Sequence, residues 1–527
     1  MPTKLSEIVE FQGDRLFNGA VDISWIRTDA KKADLAGESF IFHGPKYHGV
    51  QQEDVGDSHG HTLIDTASFT LSILNRCYGF EEVPFTLAIA GYGTGKSHLG
   101  LTLARLLGDP ASKTANNIIS SIEKADTKIG KEIRILQENS QPCLVVTLNG
   151  VQAFDLGAEI TKQLVQALKQ NGLDTSAIDD MRPRFGQAKS LINMSNDTVI
   201  RELLKTTGTK SSEALIQRLD EQSEHTYAEV HEFFASRGMP IRVLSAETVR
   251  EVIDIAVREY CGSDKPYRSL LIIFDEFGKY IEFATTKSQI AGNSALQDLF
   301  EAIQANSMNA CFVGFIQFEL NAYVNRIAPE YKNEILRYIT RYQTADRLYL
   351  STNLETIIAS LIDKRNEKLL DDSFNGEAIK EESKRISIKL AHWFPSAMNY
   401  RIWSDSDLFH KVIRKGCWPL SPFSTWLLFF LTAAGKHLQN RSGLALLADV
   451  FKKYNSSDIT NVIDWSLSPA DLWSDLLKED LITSEELEIK IKEFGENVIP
   501  ISALSDESIS NLIKEIRKLM ETEGEEN

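Results

Sequence analysis

The sequence lacks a long apolar run and a surplus of basic residues, and each absence excludes a class of protein. The most apolar stretch, residues 426–434, is too short to span a bilayer, and the first residues contain no apolar signal core. Lysine and arginine number 57 against 74 aspartates and glutamates, a net charge of −17 that opposes nonspecific nucleic-acid binding by the whole chain. We therefore expect a cytoplasmic protein without membrane contact, in which any DNA contact is indirect or uses a local basic surface.

The cysteines and histidines do not form an obvious metal-binding pattern. The five cysteines are far apart and form no Cys-x-x-Cys pair, which excludes a disulfide framework and a zinc ribbon. Four histidines cluster in a glycine-rich segment, at His43, His48, His59 and His61. A metal site would need fixed geometry, so we favour a loop that packs near a bound ligand, with a metal site as the alternative.

One glycine-rich motif indicates a phosphate-binding loop. It lies between an apolar run at 85–89, which predicts a buried strand, and a helical pattern at 97–107. The glycines let successive backbone N–H groups surround phosphate oxygens, and the helix N-terminus adds its positive dipole end. In such a loop Lys96 contacts the β- and γ-phosphates and Ser97 binds Mg²⁺. The alternative is a strand-to-helix turn without a ligand. The predicted nucleotide-binding residues are Ala90, Gly91, Tyr92, Gly93, Thr94, Gly95, Lys96, Ser97 and His98.

Strand-like and helical patterns alternate from residue 85 onward, which predicts a parallel α/β sheet. The predicted strands are 85–90, 143–149, 269–274, 310–317 and 345–350. Residues 114–137 place their apolar side chains on one helical stripe.

The remaining patterns suggest a division into regions. About 120 residues separate the second and third strands, far more than an ordinary crossover of about a dozen, and about 176–262 read as a charged helical insertion. After residue 352 the pattern is helical. We expect an N-terminal region (1–82) that packs on the core, a core (83–351), a helical lid domain (352–480) and an acidic helical tail (481–527).

A second motif supplies acidic residues at the end of the third predicted strand. The apolar run 270–274 is followed by Asp275 and Glu276, a Walker B pattern at the carboxyl edge of the sheet. In this pattern Asp275 binds Mg²⁺ and Glu276 polarises the attacking water. With Lys96 upstream, the pair predicts ATP hydrolysis. The alternative is a buried strand that ends in a solvated acidic turn.

Gln317 and two arginines complete the candidate set. Gln317 ends the fourth strand and can hydrogen-bond the γ-phosphate or the water, although a simple polar strand terminus explains it equally well. Arg337 and Arg341 lie before the fifth strand. Arg341 is our first candidate for a catalytic arginine acting on a neighbouring subunit's ATP, which requires an oligomer. A surface arginine paired with Glu334 or Asp346 is the alternative.

Together these residues resemble an AAA+/ORC-type ATPase domain, and more specifically the large ATPase of bacteriophage-exclusion and phage-growth-limitation systems (BrxC/PglY-like). The resemblance spans about 60–480 and is carried by residues 91–98, 275–282, 314–323 with 340–342, and 418–422 with 439–442. Gln317 and Ser421 stand where that family has histidine, and the acidic residue before Arg441 is missing. Members are usually longer, so the chain is either a compact relative or the motor part of a longer protein.

The resemblance implies the fold class and the cellular context. It implies an α/β protein with a parallel P-loop NTPase sheet of the AAA+/ASCE type, a helical insertion and a C-terminal helical lid. On that lid Arg441 would be a second sensor that reaches toward the phosphates. The context would be prokaryotic antiphage defence, with a homo-oligomer and other defence-system proteins, including DNA-acting ones, as partners.

Two functions remain open from the sequence. The first is a Mg²⁺-dependent ATPase whose cycle drives conformational change in a defence complex, and the intact Glu276 favours it. The second is an ATP-gated switch or scaffold that recruits partners with little turnover, and Gln317 in place of histidine leans toward it.

Overall fold

The computed structural model describes most of the chain, and the described residues form two compact units. We call them the sheet unit (Gly19–Gly44 and Gln52–Ser351) and the helical unit (Met1–Asn18, Pro45–Gln51 and Thr352–Asn527). The described residues are 3–13, 17, 21–45, 63–90, 95–138, 140–179, 183–220, 223–239, 249–292, 294–324, 326–342, 344–350, 354–395, 398, 401–431 and 440–472.

A six-stranded parallel sheet forms the centre of the sheet unit. Its strands are β1 (Leu63–Ile64), β2 (Phe85–Ile89), β3 (Leu144–Asn149), β4 (Leu270–Asp275), β5 (Ala310–Ile316) and β6 (Asp346–Leu350). The order across the sheet is β1-β6-β2-β5-β4-β3, and every neighbouring pair is parallel. The predicted parallel α/β sheet is therefore confirmed, with one additional short strand, β1. The topology is compatible with a P-loop or Rossmann-like fold.

The sheet is covered on both faces, which is why its central strands β2, β4 and β5 are buried along their whole length and mainly apolar. Along β2, β4 and β5, alternate apolar residues belong to two different hydrophobic clusters. On β2, for example, Leu87 packs in one cluster and Ala88 in the other. The same alternation separates Ile272 from Ile273 on β4.

Helices of the sheet unit follow and separate the strands. They are Trp25–Thr28, Ala30–Ser39, Thr66–Cys77, Lys96–Gly108, Lys113–Ala125, Thr127–Gln137, Leu156–Gln170, Ser176–Asp179, Pro183–Met194, Asp197–Thr206, Ser212–Asp220, Glu224–Ala235, Val249–Tyr260, Phe277–Thr286, Ser288–Ala291, Ala295–Ala305, Leu320–Val324 and Lys332–Tyr342, with a 3₁₀ turn at Pro329–Tyr331.

The single helical stripe predicted over 114–137 is wrong, because the segment forms two helices. Asp126 separates them. Its N–H donates to the Ile122 carbonyl and ends the first helix, while its carboxylate accepts from the N–H groups of Lys128 and Ile129 and starts the second. One side chain therefore acts as the boundary of both helices.

The long crossover between β3 and β4 contains a small helical module with its own core. Phe185, Leu203, Leu219 and Phe234 are fully or almost fully buried in that core. The helices Leu156–Gln170 and Val249–Tyr260 flank the module and pack against each other. The Tyr260 hydroxyl donates to the Asp174 carbonyl at 2.8 Å, so the two ends of the module meet.

The helical unit combines helices with two short antiparallel strand pairs. Thr3–Lys4 pairs with Asp458–Ile459, and Glu10–Phe11 pairs with Ile362–Asp363. Its helices are Leu5–Ile8, Leu354–Leu361, Glu367–Phe374, Glu377–Trp393, Arg401–Ser404, Ser406–Leu408, Pro422–Phe429 and Asn440–Tyr454, with a π-helix at Phe409–Gly416 and a 3₁₀ turn at Pro469–Leu472.

Aromatic side chains fill the interior of the helical unit. Trp403, Trp426 and Phe409 are buried together, and the Trp403 and Trp426 rings meet edge to face at 5.0 Å. Across the described segments of both units, no helix has the length and apolar character needed to cross a membrane.

Candidate active site

The strand order brings the ends of β2, β4 and β5 to one edge of the sheet, because β5 lies between the other two. The Ala90 N–H, just after β2, donates to the Ile316 carbonyl at the end of β5 at 3.1 Å. The Gly150 N–H, just after β3, donates to the Asp275 carbonyl at 2.9 Å. Polar residues that are far apart in sequence therefore meet at this edge, as expected for a parallel sheet.

Lys96 lies at the start of the helix that follows β2. Gly95 precedes it with a φ of 84°, a left-handed conformation that favours glycine. The Lys96 ammonium is buried and donates to the Ala90 carbonyl at 3.0 Å, across the loop. Burial lowers the pKa of Lys96, while the carboxylates of Glu276 and Asp275 act in the opposite direction. Residues 91–94 of the predicted loop lie outside the described residues.

Ser97 and Asp275 bring two side-chain oxygens together beside Lys96, and both oxygen types can ligate a metal ion. Asp275 is only 3% exposed, and burial raises its pKa, whereas the hydrogen bond from Ser97 lowers it. A hydroxyl and one carboxylate fit Mg²⁺, which typically keeps several waters and takes few protein ligands. Within the described ranges, no group of three or more His, Cys, Asp or Glu side chains could hold a metal.

Glu276 is held in place by two neighbouring side chains. Its backbone is left-handed, with a φ of 51°, an uncommon conformation for a residue other than glycine and one that is enriched at functional sites. The Gln317 amide donates to both carboxylate oxygens, at 2.8 and 2.9 Å. The Lys279 ammonium lies 3.3 Å from one of these oxygens. The sequence predictions for Glu276 and Gln317 thus concern two side chains in direct contact.

Gly150 was not singled out from the sequence, whereas Gly278 and Tyr323 were named only as members of the stretches that carry the resemblance. A Cβ on Gly150 would lie 2.3 Å from the Glu276 carbonyl oxygen, and one on Gly278 would lie 2.0 Å from the Tyr323 hydroxyl. Both glycines therefore allow close approaches next to Glu276. In the sequence, Gly150 directly follows the strand β3 and Gly278 follows Glu276 by two residues. The atoms that a Cβ at either position would meet belong to segments distant in sequence, so these positions alone do not predict the close approaches.

His98 packs beside the site and contacts a neighbouring helix. Its side chain is partly buried, and Nε2 lies 2.6 Å from the Ala36 carbonyl, which can only accept, so Nε2 carries the proton. The Phe40 ring meets the His98 ring edge to face at 5.1 Å. Burial lowers the pKa of His98 to about 4, which keeps it neutral near pH 7. The side chain thus joins the helix Ala30–Ser39 to the helix that begins at Lys96.

The predicted histidine cluster is described only at His43. This residue is buried against Thr66, whose hydroxyl oxygen accepts from the His43 N–H at 3.0 Å. The other three histidines, His48, His59 and His61, lie outside the described residues.

The arginines differ in their surroundings. Arg337 is exposed, whereas Arg341 is partly buried, and its Nη1 has no hydrogen-bond partner among the described side chains and backbone. Asp346, one of the alternative partners, instead accepts from Arg76 at 2.6 Å. The side chain of Glu334 lies outside the described residues.

Arg441 belongs to the first turn of the helix Asn440–Tyr454 in the helical unit. Its side chain lies outside the described residues, so its predicted sensor role stays a prediction.

The described cluster combines an ammonium, a hydroxyl, two carboxylates and an amide at one sheet edge. Such a set can bind an anionic ligand, hold a hard cation and take a proton from water. No protein-family model and no curated protein matches this chain.

Proposed function

We propose that the chain is a Mg²⁺-dependent ATPase of the P-loop, AAA+-like kind. The observation that carries this proposal is the grouping of Lys96, Ser97, Asp275, Glu276 and Gln317 at the carboxyl edge of one parallel sheet. These residue types at these positions suit phosphate binding, Mg²⁺ binding and activation of water.

Each side chain has a specific task in the proposed reaction. Lys96 leaves the Ala90 carbonyl and contacts the phosphates of ATP, while Glu276 orients the attacking water and accepts its proton. Ser97 and Asp275 would hold Mg²⁺, which neutralises charge on the phosphates. Gln317 keeps its amide N–H groups on Glu276 and positions the water or the γ-phosphate with its amide oxygen.

The test uses two substitutions and two measurements. Lys96→Ala and Glu276→Gln should both reduce steady-state phosphate release to background, because one removes phosphate contact and the other removes the proton acceptor. Glu276→Gln should still bind a fluorescent ATP analogue with wild-type affinity. Retained turnover in both variants would exclude this site as the hydrolytic centre.

The alternative proposal is an ATP-gated switch or scaffold that turns over little. The observation in its favour is that both Glu276 oxygens accept from Gln317, so the candidate base is already occupied. In that case ATP alone should change the oligomeric state in size-exclusion chromatography without release of phosphate. Phosphate release that Lys96→Ala abolishes would favour the ATPase instead.

Assembly is a further part of the proposal. The partly buried Arg341, with Nη1 unpaired among the described groups, supports a role as the arginine that completes a neighbouring subunit's site in a homo-oligomer. Residues 352–480, including Arg441, would act as the lid. The resemblance alone supports action in antiphage defence with other proteins of that system, and the spacing of the cysteines supports a cytoplasmic location.

A local basic surface in the helical unit is our candidate for DNA contact. Between Glu382 and Asp405 the sequence has no acidic residue, although the whole chain is strongly acidic. Lys384, Arg385 and Lys389 are exposed on this stretch, and none of them forms an ion pair with another described residue. The exposed aromatic side chains of Trp393 and Phe394 follow them. Cations beside exposed aromatics suit single-stranded nucleic acid.

Fluorescence anisotropy with a labelled single strand tests this surface. Lys384→Ala combined with Lys389→Ala should weaken binding and reduce the salt dependence by about two phosphate contacts. Lys380→Ala is the matched control, because Lys380 already pairs with Glu377 at 2.8 Å on the same helix. Equal binding by the wild type and the double variant would exclude this surface as the DNA contact.

A further inference from the structure

Tyr323 connects the end of β5 to the helix that follows Glu276. It lies on the helix Leu320–Val324, is 3% exposed, and its hydroxyl oxygen accepts from the Gln317 N–H at 3.2 Å. Burial raises the pKa of Tyr323, while the N–H groups of Gln317 and Phe318 act in the opposite direction. The backbone N–H of the residue whose side chain contacts Glu276 therefore donates to this phenolic oxygen.

Gly278 provides the space for that hydroxyl. A Cβ at this position would lie 2.0 Å from the Tyr323 Oη and 2.1 Å from the adjacent ring carbon, so any larger residue would displace the ring. Gly278 sits in the first turn of the helix Phe277–Thr286, whose N-cap position is occupied by Glu276. The close approach thus fixes the segment after β5 against the segment that carries the candidate base.

We propose that Tyr323 is a positioning residue for the candidate active site. Its hydroxyl holds the end of β5 so that the Gln317 amide stays against both oxygens of Glu276, and Gly278 is required because only glycine leaves room for this contact. Tyr323 itself contacts neither of these oxygens in any hydrogen bond among the described residues. The consequence for catalysis rests on the proposed ATPase function, whereas the consequence for backbone order does not.

The first test measures turnover. Tyr323→Phe keeps the ring and removes only the acceptor, so kcat should fall about tenfold while KM for ATP stays unchanged, because misplacement of a reacting group affects the chemical step. In a Gln317→Ala background the same substitution should have no further effect. Tyr260→Phe is the matched control, since it removes a buried hydroxyl that bonds the distant Asp174 carbonyl.

Gly278→Ala gives a second, stronger perturbation at the same contact. It should lower kcat about 100-fold, because the displaced ring moves Gln317 away from Glu276. Gly186→Ala is its control, because a Cβ there meets no atom within 4 Å. If Gly278→Ala does not fold, Tyr323→Phe alone decides.

Hydrogen exchange in the nucleotide-free protein provides the readout that does not depend on activity. Peptides that contain the backbone N–H of Gln317 should exchange that hydrogen about tenfold faster in Tyr323→Phe than in the wild type. Tyr260→Phe should leave this exchange rate unchanged. Unchanged exchange there would overturn the positioning role. So would an equal fall in kcat with and without the Gln317 side chain, since that would indicate a general structural effect.

The two proposals fail in different ways. A wild-type protein without ATP turnover, or with turnover that survives Lys96→Ala, contradicts the ATPase, and the exchange measurement still decides the role of Tyr323. Turnover that depends on Lys96 but is insensitive to Tyr323→Phe contradicts the positioning role alone.

Discussion

A buried glutamate in the helical unit should make its stability depend on pH. Glu355 is 2% exposed; its Oε1 accepts from the Trp403 indole N–H, and its Oε2 is buried with no partner among the described groups. Burial raises the pKa of Glu355 to about 7, and the hydrogen bond from Trp403 only partly opposes this. Against an ordinary value of 4.5, the difference corresponds to about 3 kcal/mol.

The sign follows from which state binds more protons. Between about pH 4.5 and pH 7 the folded protein keeps the Glu355 proton while the unfolded chain has lost it, so the free energy of unfolding falls as the pH rises. Above pH 7 the folded unit contains a buried carboxylate and the full cost is present. Glu355→Gln cannot ionise and retains an acceptor for Trp403, so the variant should lose this pH-dependent fall.

Tryptophan fluorescence during urea unfolding is the suitable assay, because six of the seven tryptophans follow residue 352. The stability of Glu355→Gln relative to the wild type should increase by up to about 3 kcal/mol between pH 5 and pH 8. Glu377→Gln is the control, since Glu377 is exposed and paired with Lys380. Parallel pH profiles for Glu355→Gln and the wild type would refute the buried-charge explanation.

Three further predictions concern other named contacts. Burial lowers the pKa of Lys364 to about 7, so the wild-type stability of the helical unit should rise from pH 7 to about 10.5, and Lys364→Met should abolish that rise in the same urea assay. Gly150→Ala should reduce kcat about 100-fold, because its Cβ would lie 2.3 Å from the Glu276 carbonyl oxygen. A phosphate-release assay in which this variant turns over ATP at the wild-type rate would contradict the prediction. Arg341→Ala should remove any ATP-dependent oligomer seen by mass photometry, and an unchanged mass distribution would exclude it as the trans-acting arginine.

Periodicity and motif spacing predicted the sheet well, because apolar runs on both faces are a direct consequence of burial. The strands that end at Ile89, Asp275 and Ile316 lie within one or two residues of the predicted limits. The short strand Leu63–Ile64 was missed, since two residues carry no detectable period. The helix boundary at Asp126 was also missed, although aspartate is a common N-cap and could have indicated it.

The sequence predicted which residues belong to the site better than it predicted the contacts between their side chains. The prediction that Gln317 lies near the γ-phosphate rests on its position as the last residue of a predicted strand. Its contact with both Glu276 oxygens depends on which rotamers the folded chain selects. Tyr323 and Gly278 meet only because two segments 45 residues apart in sequence pack together. A single sequence contains no periodic signal for such a contact.

The helical module between β3 and β4 also affects how the sequence of this chain can change during evolution. Its ends meet at the Tyr260–Asp174 hydrogen bond, between residues 86 positions apart. Loop-closure entropy grows only by about 0.6 kcal/mol for each doubling of length, so 86 residues cost about 2 kcal/mol more than a ten-residue connection. The module's separate core further isolates it from the sheet. Insertions, deletions or replacement of the module can therefore accumulate while the register of β3 on β4, and with it the placement of Asp275, is preserved.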